Sequence, residues 1–145
     1  MVDLFRPGPY VPTSTEPRHR FHRLEMSSTA PIGPIAIVGA GALGTALAQG
    51  LSANGRQVEA VVSRNEEGAR ALANRVGAPV AGATGAVLPA PVRVVLICVP
   101  DDAIEDVAEA LGHCDHPWGD TVVAHTSGAK KAAALDPLAQ QGALT

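Results

Sequence analysis

Residues Ile35 to Leu51 read IAIVGAGALGTALAQGL, and this stretch decides the fold. Its first four residues are apolar, a pattern typical of a short strand buried on both faces of a parallel sheet. Gly39 then ends the apolar run, and the next residues match the motif G-x-G-x-x-G. Apolar residues recur at helical spacing after it, at Leu43, Ala46, Leu47, Gly50 and Leu51. The stretch therefore predicts a strand, a tight turn and an amphipathic helix.

The glycine motif has a specific chemical interpretation. In it Gly39 permits the tight turn, Gly41 lets the backbone approach a pyrophosphate, and Gly44 lets helix and strand pack closely. A bound anion would face the free N–H groups and the positive dipole end of the helix. We therefore predict a dinucleotide-binding loop made of Gly39, Ala40, Gly41, Ala42, Leu43 and Gly44. The alternative is a strand-to-helix turn that binds no ligand.

Composition narrows the class of protein. The chain has 145 residues, of which 46% are hydrophobic and 17% charged, enough for one packed domain but short for a typical two-domain dehydrogenase. Its net charge is −3, without a basic stripe, so a nucleic-acid partner has no electrostatic support. Two cysteines, Cys98 and Cys114, do not make a disulfide framework, and no apolar run is long enough to cross a bilayer. We expect a cytoplasmic protein with no nucleic-acid or membrane partner.

Residues 1–31 differ from the rest of the chain. They hold five prolines and four arginines and show no sustained hydrophobic period. A secretory signal needs a continuous apolar core, which this segment lacks. We expect a disordered extension, with Met26 as a candidate for the true start, and a domain over residues 32–145. A basic regulatory arm is the alternative.

The second predicted strand, Val58 to Val62, ends where cofactor preference is usually determined. An NAD-binding domain places Asp or Glu there to bind the ribose 2′-OH, about 20 residues beyond the glycines. This chain instead has Ser63, Arg64 and Asn65, and a guanidinium with flanking hydroxyl and amide groups suits a 2′-phosphate. The sequence therefore favours NADP over NAD. The alternative is that Arg64 is a solvated surface arginine and Asn65 only caps the next helix.

The middle of the chain predicts further elements in alternation. Asn65 is a candidate N-cap for a helix that Gly77 ends, with two glutamates in its first turn. The expected elements after it are a short strand over residues 78–81, a brief helix over residues 84–88 and an apolar strand over residues 92–99.

The end of that last strand is expected to face the glycine loop. In a doubly wound sheet the backbone of Val99, Pro100 and Asp101 would line the cofactor groove. The next residues, Asp102 to Glu105, form a capping box that predicts a helix to about Leu111, and capping is the ordinary role of the two aspartates.

Polar residues follow the helix and the strand after it. The run His113-Cys114-Asp115-His116 lacks the spacing of a metal site and predicts a polar loop. A strand over residues 122–124 then leads to His125 and Ser127, which are our candidate catalytic residues because polar side chains at this edge of a parallel sheet meet ligands. Ser127 is also a candidate cap for a helix over residues 129–135, and capping alone explains that serine.

These motifs together resemble a known family. The segments VGAGALGTALAQGL, SRN, VVLICVPDDAI and VVAHTSGA are similar to the cofactor domain of the 6-phosphogluconate dehydrogenase-like oxidoreductases, which include ketopantoate reductase and pyrroline-5-carboxylate reductase. The likeness covers residues 34–145 and is strongest to Rossmann-like oxidoreductases with a C-terminal helical domain of unknown function. It implies an α/β, doubly wound parallel-sheet Rossmann fold that binds NAD(P), with Val99, Pro100, His125 and Ser127 around the nicotinamide.

The resemblance also implies what the chain lacks. Relatives of this kind continue into a further strand and a helical domain that closes the substrate cleft and often forms a homodimer, so we expect a truncated fragment that is inactive alone. Two hypotheses follow. The chain is the cofactor domain of an NADP-dependent oxidoreductase that transfers a hydride to or from a small molecule, or it is a non-catalytic dinucleotide-binding or sensing module.

Overall fold

The computed structural model describes residues 32–85 and 88–145. The predicted extension over residues 1–31 and the start at Met26 lie outside the described residues. Strands and helices alternate along the described chain, except that no helix of the described residues separates β3 from β4. The strands are β1 (Ile35–Val38), β2 (Val58–Val62), β3 (Val80–Gly82), β4 (Val94–Ile97) and β5 (Val122–His125). The helices are α1 (Ala42–Ala53), α2 (Glu66–Val76), α3 (Ile104–Gly112) and α4 (Asp136–Ala139).

The strands form one parallel sheet in the order β3-β2-β1-β4-β5. The central strand β1 pairs with β2 on one side, Val38 beside Val62, and with β4 on the other, Val38 beside Ile97. The chain therefore reverses its direction of winding between β3 and β4. The predicted doubly wound α/β fold is confirmed, and ligands bind such sheets at this reversal, outside the carboxyl ends of the strands.

Two apolar clusters cover the two faces of the sheet. On one face, Ile35 and Ile37 of β1 lie in a cluster with residues of α1 and α2. On the other face, Ala36 and Val38 lie in a cluster with residues of α3 and α4 and with Trp118. Alternate residues of β1 thus point into different clusters, which is why this strand is apolar throughout.

Helix α1 forms where the glycine motif predicts it, but its buried face differs from the predicted one. Gly44 and Ala48 are its buried residues. Leu43 is 50% exposed, and Ala46 and Gly50 are also exposed. The helix packs through its smallest residues because close approach to the sheet leaves no room for leucine there.

Several predicted boundaries are wrong in the part of the chain between β2 and β4. The third strand is shifted to Val80–Gly82, and β4 is shorter than the predicted run from residue 92 to residue 99. Within the predicted helix over residues 84–88, Thr84 and Gly85 form a turn and Leu88 is not helical, while residues 86 and 87 lie outside the described residues. Glycine at φ 95° in that turn is incompatible with a helix.

Two predictions in the second half of the chain are also wrong. The capping box over residues 102–105 does not form, because Asp101–Ala103 is a 3₁₀ turn and α3 begins after Ala103 without a side-chain cap. The helix expected over residues 129–135 is replaced by an irregular loop, the 3₁₀ turn Ala132–Leu135 and the short helix α4.

The open edge of β5 carries one further pairing. Leu144 forms an isolated parallel bridge with Val122. The N–H of Val123 donates to the carbonyl of Leu144 over 2.7 Å, and the N–H of Leu144 donates to the carbonyl of Thr121 over 3.0 Å. Parallel pairing therefore continues past β5 at the amino-terminal end of that strand. Among the described residues, no helix has the length and apolar character needed to traverse a bilayer.

Candidate functional site

A groove of about 310 Å³ opens at the carboxyl ends of the central strands. Its walls come from the glycine loop, the end of β2, the turn after β3 and the segment between β4 and α3. The lining residues are Gly39, Ala40, Gly41, Ser63, Arg64, Asn65, Thr84, Cys98, Val99, Pro100, Ala103 and Val107. Eight of the predicted cofactor residues therefore lie along one groove, at the reversal point of the sheet.

The three glycines of the motif meet different surroundings. Gly39 has φ 106°, and a Cβ on it would lie 2.9 Å from the carbonyl carbon of Cys98. A Cβ on Gly44 would overlap the carbonyl of Gly39, whose carbon is 3.0 Å away. A Cβ on Gly41 would have no protein atom within 4 Å and would point into open space. Packing requires glycine at residues 39 and 44, whereas Gly41 leaves room for a ligand beside the backbone.

The start of α1 is suited to a phosphate group. Gly41 is the N-cap residue and offers no side chain, and the first turn holds no acidic residue. Its carbonyl accepts the N–H of Thr45 over 2.9 Å, so the helical ladder begins at this point. Ala42 and Leu43 are exposed and Gly44 is buried, and these three do not line the groove. Their predicted contribution is through backbone N–H groups, which fit a pyrophosphate at a helix N-terminus.

Ser63 and Asn65 use their acceptor atoms within the protein. Ser63 Oγ accepts the N–H of Asn65 over 3.3 Å. Asn65 Oδ1 accepts the N–H of Gly68 over 3.1 Å and caps α2, as the sequence predicts. Each side chain also keeps donors for a ligand, the hydroxyl hydrogen of Ser63 and the amide hydrogens of Asn65. Donors are what an anionic ligand requires.

Arg64 lies between these two residues with its charge uncompensated. It is exposed and lines the groove, and within residues 32–85 and 88–145 its guanidinium has no ion-pair or hydrogen-bond partner. The carboxylate of Glu66 pairs instead with Arg70, over 3.2 Å along the exposed side of α2. One of the two first-turn glutamates that oppose a phosphate is therefore paired elsewhere.

The segment after β4 forms the opposite wall of the groove. Val99 and Pro100 line it as predicted, but Asp101 does not, because the 3₁₀ turn leaves its side chain exposed. Cys98 also lines the groove and is 8% exposed. Burial raises the pKa of the Cys98 thiol, with a hydrogen bond to the Thr126 side chain acting in the opposite sense. This thiol is therefore a neutral, weakly polar part of the wall.

Four lining residues were not predicted from the sequence, namely Thr84, Cys98, Ala103 and Val107. Thr84 comes two residues after β3, so the rule that ligands meet the carboxyl ends of strands would have found it. The run of residues that predicted β3 was too short and too uniformly apolar to show where the strand ends. Ala103 ends the 3₁₀ turn and is the N-cap residue of α3, and Val107 lies in the first turn of that helix.

The two candidate catalytic residues do not line the groove. His125 ends β5, and its Nε2 lies 3.2 Å from the carbonyl of Lys131, so Nε2–H donates there. Ser127 Oγ accepts the N–H groups of Ala129 and Lys130, over 3.1 and 3.0 Å. Both side chains thus hold the loop after β5 in shape.

That loop is also tied to α3. Lys130 Nζ lies 2.9 Å from Glu105 Oε1, and this hydrogen bond with the Glu105 carboxylate raises the pKa of the Lys130 amine. Exposed ion pairs of this kind contribute little to stability. The catalytic role of His125 and Ser127 remains a prediction. Among the described residues, no group of three or more His, Cys, Asp and Glu side chains is arranged to hold a metal ion.

The parallel sheet and the groove define a dinucleotide-binding domain of the Rossmann type. Residues 34–138 match the model of a family described as NADP oxidoreductase, coenzyme F420-dependent. Because the match covers more than half of the chain, the protein belongs to this family. The resemblance to NAD(P)-binding oxidoreductases stated from the sequence is confirmed.

Solved structures support the same assignment. A protein from Bacteroides fragilis described as an NADP oxidoreductase is 30% identical, with a TM-score of 0.59 over 68% of this chain and 37% of its own. An oxidoreductase from Pseudomonas putida KT2440 is 26% identical, with a TM-score of 0.54 over 77% and 38%. A myo-inositol dehydrogenase from Sinorhizobium meliloti 1021, at 22% identity and a TM-score of 0.56, covers 77% of this chain and 34% of its own and shares the fold.

The chain spans less than two fifths of the length of each of these solved relatives. No curated protein matches the sequence. The family and the fold therefore rest on the family model and on the solved structures.

Proposed function

We propose that the groove binds NADP in preference to NAD, and that the chain is the cofactor domain of an oxidoreductase acting on a small molecule. Bound NADPH would supply the hydride. The chain's own residues would hold it, with the glycine loop at the pyrophosphate and the end of β2 at the adenosine phosphate. Among the described residues, the groove offers no side chain that identifies the substrate.

The free guanidinium of Arg64 is the observation that carries the preference for NADP. It lines the groove 20 positions after Gly44 and has no partner in the described part of the chain. Ser63 and Asn65 beside it keep donor hydrogens free. A guanidinium and these donors bind a phosphate dianion well, whereas no carboxylate of the described residues lines the groove to accept a hydrogen bond from a ribose hydroxyl. This is the chemistry expected of a 2′-phosphate site.

Arg64→Ala tests this assignment. Loss of a charge-assisted hydrogen bond to the phosphate should weaken NADPH binding by about 1.5–3 kcal/mol and leave NADH almost unchanged. Calorimetric titration of both cofactors measures the difference.

The matched control is Arg75→Ala. Arg75 lies in the last turn of α2 and does not line the groove. Its removal therefore changes the net charge by the same amount without touching the site. Equal weakening of NADPH by both variants, or equal weakening of NADPH and NADH by Arg64→Ala, contradicts the 2′-phosphate assignment.

A non-catalytic dinucleotide-binding module is the second candidate. It is favoured by the hydrogen bonds of His125 and Ser127, which both serve the loop after β5. Under this function the cofactor affinities are the same and the two side chains affect only stability. The two functions are separated by measuring NADPH turnover by the longest natural form of the chain and by its His125→Ala and Ser127→Ala variants.

A further inference from the structure

A buried pair of aromatic rings lies near the amino-terminal end of β5, far along the strand from the loop that carries Ser127. His116 is 8% exposed and Trp118 is 3% exposed. Their ring centroids are 4.7 Å apart, with the planes at 69°. We call residues 113–121, which join α3 to β5, the His116 segment. The sequence predicted a polar loop here, but the segment contributes Trp118 to the larger apolar cluster.

Thr121 holds the His116 ring in place. His116 Nε2 lies 2.9 Å from Thr121 Oγ1, and the same hydroxyl lies 3.4 Å from the carbonyl of Pro117. In the neutral ring one of the two nitrogens carries a proton and the other a lone pair. Nδ1 is buried and has no hydrogen-bond partner within the described residues.

The surroundings of His116 oppose a positive charge on the ring. Arg93, which precedes β4, is the charged group that acts on it, and its guanidinium is held by the carbonyls of Ala90 and Val92 over 3.0 and 3.3 Å. The other neighbours, Leu88, Trp118 and Thr121, are uncharged, and no carboxylate of the described residues pairs with His116. A second proton on the ring would thus be buried beside a cation.

We propose that His116 is a proton-operated latch, whose protonation releases the His116 segment and Trp118 from the apolar cluster while the rest of the sheet stays folded. A second buried atom weakens the same place, because the Trp118 indole Nε1 is buried and has no partner among the described residues. Releasing the segment would satisfy both rings with water. The strand that follows it, β5, would then lose support at its first residues.

The direction of the pH dependence follows from the neutral ring. Burial lowers the pKa of His116 below its ordinary value of 6.5; the Leu88 backbone acts in the opposite sense, and the charge of Arg93 lowers the pKa further. The unfolded chain therefore binds the proton first as pH falls. The stabilising effect of the neutral ring is complete above pH 6.5 and is lost as pH falls from 6.5 through the lowered pKa.

Trp118 reports on the latch directly because it is the only tryptophan of the chain. Between pH 8 and pH 5 we expect its emission maximum to move to the red and its quenching by acrylamide to rise, with far-ultraviolet circular dichroism largely unchanged. In His116→Gln the pH dependence should disappear. His113→Gln and His125→Gln are matched controls that remove other histidines and should keep the full response.

An emission maximum of the wild-type protein that stays constant over this range overturns the proposal, as does an equal response in His116→Gln. Should His116→Gln fail to fold, histidine ring titration of the wild-type protein by nuclear magnetic resonance decides the matter. A ring pKa below 6.5 that tracks faster exchange of the Trp118 indole hydrogen supports the latch. A His116 ring pKa at or above 6.5 overturns it.

Discussion

At the scale of single residues, the three motif glycines are alike in sequence and different in physical role. Gly39 and Gly44 are fixed by backbone atoms that a Cβ would meet. Gly41 has φ −76° and ψ −171°, which any residue adopts, and open space where its Cβ would be. Packing alone therefore does not require glycine at residue 41. A ligand that comes close to the backbone does require it.

Gly41→Val is expected to leave the fold intact and to impair cofactor binding. The valine methyl groups would occupy the position of the pyrophosphate, and overpacking of about 1–3 kcal/mol corresponds to a loss of NADPH affinity of about 5- to 150-fold. Circular dichroism checks the fold, and calorimetric titration measures the affinity.

Two further glycine variants serve as controls. Gly50→Ala, on an exposed and open face of α1, should change neither binding nor fold. Gly44→Ala should lower the free energy of unfolding by about 1–3 kcal/mol, because its Cβ meets the Gly39 carbonyl. If Gly41→Val binds NADPH as tightly as the parent protein, the pyrophosphate assignment is wrong.

At the scale of elements, Asn65 has two tasks at the N-terminus of α2. Its Oδ1 caps the helix, and Asn65 also lines the groove beside Arg64. An N-cap oxygen contributes about 1 kcal/mol of stability, and Asp is as good an N-cap as Asn. The two tasks are therefore separable by changing the charge of this side chain.

Asn65→Asp should keep the cap and weaken NADPH alone. The unfolding free energy is expected to change by less than about 0.5 kcal/mol, whereas a carboxylate near the 2′-phosphate should weaken NADPH by about 1 kcal/mol, roughly fivefold. NADH affinity should stay the same. Urea denaturation and calorimetric titration measure the two effects, and Asn65→Ala, which removes the cap, gives the comparison. Unchanged NADPH affinity in Asn65→Asp would place the phosphate away from α2.

The elements also show what the sequence determines locally. Strands β1 and β2, helix α1, the cap of α2 and its left-handed end at Gly77 were all predictable, because each depends on residues within a few positions of each other. The failures depend on distant contacts. Ser127 was correctly a cap, but it caps a turn, since α4 and the preceding 3₁₀ turn must pack against α3. The buried face of α1 was set by the sheet beneath it.

At the scale of the whole molecule, sheet topology made most of the groove predictable. Three separate segments, at residues 39–41, 63–65 and 99–100, were assigned to one site because parallel strands bring their carboxyl ends together. The same rule did not correctly place His125 and Ser127 relative to the groove, because β5 lies at the edge of the sheet and its loop turns toward α3. Burial of His116 likewise depends on packing that no local pattern records.

The groove wall formed after β4 offers no charged side chain among the described residues, because it consists of Cys98, Val99, Pro100, Ala103 and Val107. The groove is bounded by the sheet edge, α2 and the start of α3, while Leu43 at the start of α1 is 50% exposed. At the edge of the sheet, Val122 and Leu144 are 44% and 64% exposed. Orienting a substrate against the cofactor can supply about 7–11 kcal/mol of a rate enhancement, and this needs contacts from the side opposite the nicotinamide.

We therefore expect a protein of these 145 residues to bind NADPH but to show no appreciable turnover of small carbonyl or imine substrates. Steady-state NADPH oxidation over a substrate panel is the measurement, with Gly41→Val as the variant that reports background oxidation. Saturable turnover well above that background would contradict this expectation and would return attention to the loop after β5. In that case His125→Ala should lower kcat if the ring takes part in proton transfer, whereas Ser127→Ala should lower the unfolding free energy by about 1 kcal/mol through loss of its cap.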